Sequence, residues 1–537
     1  MFTRVKKTGP YEYLQIVENR REGKKTVQRI IATLGRTDQI QKKGEIERLI
    51  QSLSRFSERV LLILSGKNQE VHAEAKKIGP PLIFERLWRD VGIGKTLKKH
   101  LGSRKYGFDV ERAIFLTVLH RLFISGSDRA CDRWRRDYRI EGTEGLSLHH
   151  LYRAMAFLGE ETEDQTDRTP FSPRCLKDLV EEDLFHARRD LFSSVDLFFF
   201  DTTSFYFEGE GGETLGQRGH GKDHRPDLKQ LVVGTLLDDE GQPVCCEIWP
   251  GNTADVKTLI PVAERLKKRF AVALFCLVAD RGMISEETLR ELDAREIPYI
   301  LGARMRQYRE VREEVLSRPG RYQEVHPDLK VKEVFVDDRR YILCLNEKQA
   351  VKDREDRQMI LHTLREKLKK APKTLVGNRG YRKYLKLERE HIAIDQDRID
   401  QEARYDGKWV LRTNTELPPS LVALKYKELW QVEQIFRDMK TILETRPIYH
   451  QIDETIRGHV FCSFLALMLR KELDRRLDKA GLSFEWSDIK QDLKALQEIM
   501  IEENGKTLAL RTECLGLCGK IFQAVGVAIP PTIREVD

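Results

Sequence analysis

Two short apolar runs in this chain each stop at an aspartate. "VDLFFFDTTSF", 195–205, stops at Asp201, and "VALFCLVADRGM", 272–283, stops at Asp280. Neither run alternates polar with apolar residues, so neither reads as a strand with one wet face. Both are far shorter than the ~18 residues a membrane helix needs. Such strands must be covered on both faces, which calls for a sheet with helices packed on either side. A carboxylate at the end of one has two readings: a strand end or helix cap, or a metal ligand on a rigid element.

The surrounding pattern divides the 537 residues into several parts. Residues 1–80 open with a hairpin pattern, "YEYLQIVENRREGKKTVQRIIATLG" with Gly23 in its turn, followed by an amphipathic helix at 45–64. Residues 81–190 are helical in period, as in "VERAIFLTVLHRLF" and "LHHLYRAMAFLGE". Residues 191–302 read as three strands, a helix, a strand, a helix capped by Ser285 and a further strand. This β-β-β-α-β-α-β order resembles the ribonuclease-H-like fold. Residues 303–410 are strongly charged and read as a β-rich insertion. Helices return over 411–475, and 476–537 reads as a helical C-terminal region. The expected class is thus α+β and multidomain.

Charge is unevenly spread. Residues 1–80 contain 17 Lys+Arg and 9 Asp+Glu, which accounts for the whole net charge of +8. A basic N-terminus fits a segment that touches phosphates, and also a plain solvated surface. The nine cysteines are scattered and imply neither a disulfide framework nor a zinc site, as expected in a reducing cytoplasm. The start shows no signal-peptide core, and "VFCSFLALML" at 460–469 is too short to span a membrane.

In a sheet of this order the first and fourth strands are neighbours, which brings Asp201 and Asp280 together. Two close carboxylates in an apolar setting repel, and a divalent cation removes the conflict. A third ligand fits at Glu433 in "YKELWQVEQIFRDMK", beside the stripe Leu429, Val432, Phe436 and Met439. Asp227 and Asp255 are rival carboxylates. The first adjoins Pro226, and the second opens a helix, where capping accounts for it. Asp196 begins the strand that carries Asp201, ~16 Å away.

These residues resemble the DDE transposases of bacterial insertion sequences, in the insertion-sequence-four superfamily. Its signature is Tyr, two residues, Arg, three residues, Glu, six residues, Lys. Here Tyr426, Glu433 and Lys440 match, while Leu429 stands where Arg is expected. "DTTSF", "HRPDLKQ", "PGNTAD" and "ADRGM" also look like motifs of the group. The resemblance covers about 195–470 strongly and the N-terminus more loosely. It implies a ribonuclease-H-like core holding two Mg²⁺ or Mn²⁺ ions, with Asp201 bridging and Asp280 and Glu433 each on one ion. It also implies cleavage at transposon ends, transfer of the 3′-hydroxyl into target DNA, and a homodimer on paired ends in the bacterial nucleoid. No membrane or small-molecule cofactor is expected. Tyr426, Arg437, Lys440, Lys229, Arg225 and Arg281 are candidate DNA contacts, with His224 near them. Lys440 and Arg437 also fit an exposed helix surface, Tyr426 a packed aromatic, and "HRPDLKQ" a loop entering the second strand. Trp430 reads as packing. Two other functions compete with transposition: a ribonuclease-H-like nuclease without strand transfer, and a DNA-binding protein whose catalysis has decayed. The intact carboxylates argue against the latter.

Overall fold

This computed structural model describes all residues except 1, 23–24, 43–45, 47–71, 170–171, 189–195, 220, 223–224, 273–274, 371–380, 382, 388–391, 504–505 and 537. The chain forms two compact units, one of residues 1–83, 136–139 and 480–537, the other of 84–135 and 140–479.

In the first unit, β1 (Phe2–Thr8), β2 (Tyr11–Glu22) and β3 (Lys25–Arg36) make an antiparallel sheet, so the hairpin read at 11–35 gains a strand in front. Its Gly23 turn lies outside the described residues, as does nearly all of the helix read at 45–64. β4 (His72–Lys77) joins a second sheet with strands from the C-terminal region.

The second unit opens with helices, among them α1 (Val110–Phe123), α2 (Asp128–Trp134), α3 (Leu148–Gly159) and α4 (Leu176–Arg188). Asp109 and Ser127 accept backbone N–H groups at the starts of α1 and α2, as caps do. The sheet follows. β5 (Asp196–Tyr206) pairs antiparallel with β6 (Gln230–Leu237), and β6 with β7 (Pro243–Pro250). After α5 (Leu259–Arg269), β8 (Phe275–Ala279) lies parallel to β5. After α6 (Glu286–Ala294), whose N-cap is Ser285, β9 (Tyr299–Ala303) lies parallel to β8.

The charged segment after β9 adds β10 (Gln323–His326), β11 (Leu329–Val336), β12 (Arg339–Leu345), α7 (Glu347–Lys370), the small pair β13 (Leu385–Leu387) and β14 (Ile392–Ile394), and β15 (Lys408–Thr413). Its main strands do not close on themselves. β15 pairs with β9, so the result is one nine-stranded sheet ordered β10-β11-β12-β15-β9-β8-β5-β6-β7.

Alternation along β5 sends Phe198, Phe200, Thr202 and Ser204 to one face, and Phe199, Asp201, Thr203 and Phe205 to the other. The first face packs on α5 and α6 through Leu259, Val262, Leu266, Leu289 and Leu292. The second meets α9 (Trp430–Thr441), which follows α8 (Pro419–Lys427) and precedes α10 (Asp453–Lys479). α8 and α9 are separate helices, because Glu428 and Leu429 form a turn between them.

The C-terminal region is not all helix. α11 (Trp486–Ala495) is followed by β16 (Gln497–Glu503), β17 (Lys506–Arg511), α12 (Cys518–Val525) and β18 (Ile533–Val536). The sheet order is β18-β17-β16-β4. The isoleucines of "QEIMIEE" and the alternation of "KTLALR" are strand patterns, but the partner of β16 is β4, more than 400 residues earlier.

Candidate active site

The parallel pairing of β5 and β8 ends at Phe200 opposite Ala279. Asp201 and Asp280 are the next residue on each strand, so the register sets them side by side. Asp201 is not at the end of its strand. "DTTSFY" is β-branched and aromatic and stays paired with β6, from Asp201 opposite Thr235 to Tyr206 opposite Gln230. β8 stops while β5 continues, which opens a cleft along one edge of β5.

Burial pushes the Asp201 carboxyl up to about 6, against the pull of Lys222 and with a further push from Asp280 and Asp255. Lys222 Nζ is 3.5 Å from Asp201 Oδ1 and 3.6 Å from Asp255 Oδ2. Thr202 Oγ1 donates to Asp255 Oδ1 at 2.7 Å. Asp255 therefore does not cap a helix with its side chain, as its sequence position implied. It lies in a 3₁₀ turn before α5, and its carboxylate is turned toward the cleft. Lys222 goes unremarked in the sequence reading, and Asp255 stands there only as a rival carboxylate explained by capping. The only signals were "PGNTAD" and the lysine before "DHRPDLKQ".

Tyr426, at the end of α8, donates its hydroxyl to Asp280 Oδ1 at 3.0 Å. Burial and Asp280 both push that phenol's titration upward. Gly302 makes this possible, because a methyl there would strike the Tyr426 hydroxyl. Tyr426 thus faces a carboxylate, not an open DNA surface. Leu429 is 7% exposed and packs inward, whereas Trp430 is 61% exposed, so the packing role read for Trp430 does not hold. Trp430 opens α9 just after the turn at 428–429, off the buried stripe of Val432, Phe436 and Met439.

Glu433 and Arg437 are exposed on α9, and neither side chain bonds to another described residue. The helix lies along the Asp201 face of the sheet. Near its start Gln431 crowds Gly241 in the β6–β7 turn, level with Phe199 of β5. Near its end Lys440 sits over the Phe205 ring at 6.0 Å. Glu433 follows Gln431 on a helix that runs the length of β5 from Phe199 to Phe205.

Arg225 and Lys229 are not with the carboxylates. Lys229 adjoins Gln230, opposite the far end of β5, and pairs with Glu210, while Arg225 pairs with Asp227 at 2.8 Å. Arg281 is exposed, and its carbonyl accepts from Arg304 Nε at 2.9 Å. His224 lies outside the described residues.

Burial holds the Asp201 carboxyl up near 6, with a smaller push from Asp280 and Asp255; oxygen donors set side by side suit a hard divalent cation, which would relieve their repulsion. A separate cluster, Asp128, His450 and His459, also has metal-ligand spacing. There Arg121 Nη2 lies 2.9 Å from His459 Nδ1 and His459 Nε2 faces the Thr445 carbonyl at 3.0 Å, so both ring nitrogens of that histidine are engaged and an arginine stands where a cation would.

Among described residues no helix is long and apolar enough to cross a membrane. Residues 2–70 match the family model described as "IS1634 family transposase, N-terminal domain", and residues 194–469 match "Transposase DDE domain". No curated protein matches the chain. A solved structure described as "Cryo-EM structure of piggyBac transposase synaptic complex with hairpin DNA" is similar at a TM-score of 0.35 and 9% identity, over 77% of this chain and 79% of that one. The DDE match covers just over half of the chain and contains every carboxylate of the cleft, so the chain belongs to the DDE transposases of insertion sequences.

Proposed function

We propose that Asp201, Asp280 and Glu433 form the catalytic centre of a cut-and-paste transposase of the insertion-sequence-four superfamily, acting on DNA as a homodimer with two Mg²⁺ or Mn²⁺ ions per site. The observation that carries this reading is the register of β5 on β8, with α9 laid along the Asp201 face. The strand order β7-β6-β5-β8-β9, with only β5, β8 and β9 parallel, supports a ribonuclease-H-like core. In this reading β10–β12 and β15 belong to the insertion before the Glu433 helix.

Asp201 and Asp280 would hold the cations from the sheet and Glu433 from α9. Divalent cations supply Lewis acidity at the attacking and leaving oxygens. Tyr426 positions Asp280 through its hydroxyl. Arg437 and Lys440 follow Glu433 at four- and seven-residue spacing, on the same side of α9, where a DNA phosphate would lie. Water first cleaves at the transposon end, and the freed 3′-hydroxyl then attacks target DNA. Both are in-line displacements at phosphorus, so one set of ligands serves both.

Asp201→Ala, Asp280→Ala and Glu433→Ala should each cut Mg²⁺-dependent cleavage by about 1,000-fold or more and spare end binding. Retained nicking in any one of the three removes that residue from the centre. A joining assay with pre-cleaved ends separates a transposase from a nuclease, since only the former links the 3′ end to target.

A further inference from the structure

Among the described residues no strand pairs with the edge of β5 toward β8 past Phe200; Ile448 bridges its far end at Phe207, and the part next to Asp201 is reached by Lys222. The Lys222 backbone N–H donates to Ser204 Oγ at 2.9 Å. Its ammonium reaches back to the carbonyl of Thr202 and to the Thr202 hydroxyl at 3.0 Å. From there it touches Asp201 Oδ1 and Asp255 Oδ2, at 3.5 and 3.6 Å. Asp255 is itself fixed from behind by the Thr202 hydroxyl. An ammonium is therefore built onto the same carboxylate that the proposed metal centre uses, with a second carboxylate at almost the same distance on its other side.

We propose that Lys222 is a positioning residue that competes with the divalent cation for Asp201, and that Asp255 retains its ammonium beside the centre once the cation is bound. The inference rests on reading Asp201 and Asp280 as metal ligands. Two positive charges cannot share one carboxylate oxygen at contact distance without strong repulsion, so one gives way. Lys222 is the one that moves: its side chain is 40% exposed, and Asp255 already holds part of its charge. Asp255 then acts through the lysine and not as a ligand. The pair holds metal affinity down and keeps a cationic group at the edge of the cleft for a DNA phosphate.

The test is Mn²⁺ titration calorimetry on the full chain without DNA, with thermal unfolding as the check on folding. Lys222→Met should bind Mn²⁺ roughly tenfold more tightly than the unchanged protein, a conservative figure for removing one nearby positive charge. Lys222→Arg, which keeps the charge, should stay close to the unchanged protein. Asp255→Asn should weaken binding when Lys222 is present and have little effect in the Lys222→Met background. Equal weakening in both backgrounds would make Asp255 a ligand and overturn its retaining role. Unchanged or weaker binding in Lys222→Met, with binding lost in Asp201→Asn, overturns the competition and leaves the metal centre standing. Binding that survives Asp201→Asn overturns the metal-centre reading itself, and this inference with it. Lys222→Gln repeats the titration if the Met variant fails to fold.

Discussion

The placement of Asp201 beside Asp280 was legible from sequence, because a carboxylate that closes an apolar run has few bland explanations besides a strand end. Asp255 was not, because a carboxylate before a helix has a ready one, and its true partner is Thr202, 53 residues away. The elevated Asp201 carboxyl has a thermodynamic consequence. Its folded-state value of about 6 exceeds the ordinary 3.8, so between those values the folded protein binds more protons than the unfolded chain. In chelator, its contribution to stability is therefore fully present below about pH 4 and is lost as pH rises through about 6. Asp201→Asn should flatten that part of the melting-temperature profile, and Mg²⁺-induced stabilisation should grow over the same interval as the carboxyl ionises. A profile that rises with pH between 4 and 6 because of Asp201 would contradict the assignment. Leu429 poses a second residue-scale question. The superfamily signature places Arg there, but this side chain is buried while Arg437, one turn after Glu433, is exposed. The phosphate contact has in this reading moved to Arg437. A charge-assisted hydrogen bond contributes about 1.5–3 kcal/mol, so Arg437→Ala should slow strand joining on a pre-nicked end about 10- to 150-fold. Leu429→Arg should lower stability and restore nothing, because it forces a charge into an apolar site. A neutral Arg437→Ala combined with a more active Leu429→Arg would show that the contact is missing and not moved.

At the scale of elements, strands with unbroken apolar runs and helices with clear period were readable, and their breaks were not. Glu428 and Leu429 interrupt a helical pattern without a Pro or Gly, so only packing of α8 and α9 on the sheet reveals the turn. The packing of α4 on β7 and α5 was equally hidden, because it is made by charges. Lys177, Arg265 and Arg269 face Asp178, Glu181 and Glu247, three cations against three anions, all nearly fully buried. Arg269 Nη2 is 3.0 Å from Glu181 and its Nε 2.7 Å from Glu182 at the margin. Lys177 Nζ donates to the Cys246 carbonyl at 2.7 Å, tying α4 to β7. Burial pushes the Glu181 carboxyl upward against the pull of Lys177 and Arg269. The two kinds of deletion should then differ. Arg269→Met leaves buried anions without their cation and should cost about 3–5 kcal/mol in urea unfolding. Glu181→Gln removes a charge that burial disfavours and keeps an acceptor for the Cys246 N–H, so it should cost clearly less. Equal costs would mean that the ion pairs of Glu181 outweigh the burial of its charge.

For the whole molecule, the order of parts along the chain was legible but their grouping was not. The charged stretch after β9 extends the main sheet because β15 returns to pair with β9, a contact over 100 residues that no local pattern announces. The basic N-terminus is similar: it reads as one region of 1–80, yet β4 at 72–77 pairs with β16 and so belongs to the C-terminal sheet. This changes how the role of the N-terminus should be tested. Removal of residues 1–80 would strip β4 from β16, expose the edge of that sheet and confuse lost folding with lost contacts. Removal of residues 1–70 leaves β4 in place and matches the extent of the transposase N-terminal family model. It also removes nearly all of the charge excess, since residues 71–80 contain Lys76, Lys77 and Glu74 and contribute only +1 of the +8. Each phosphate contact contributes about −0.9 to the slope of log affinity against log salt. A protein starting at residue 71 should therefore bind transposon ends more weakly and with a shallower slope in mobility-shift titrations, while its cleft residues and thermal unfolding stay unchanged. A protein starting at residue 81 should instead lose stability. If the slope is the same with and without residues 1–70, their charge is solvated and end recognition lies elsewhere in the chain.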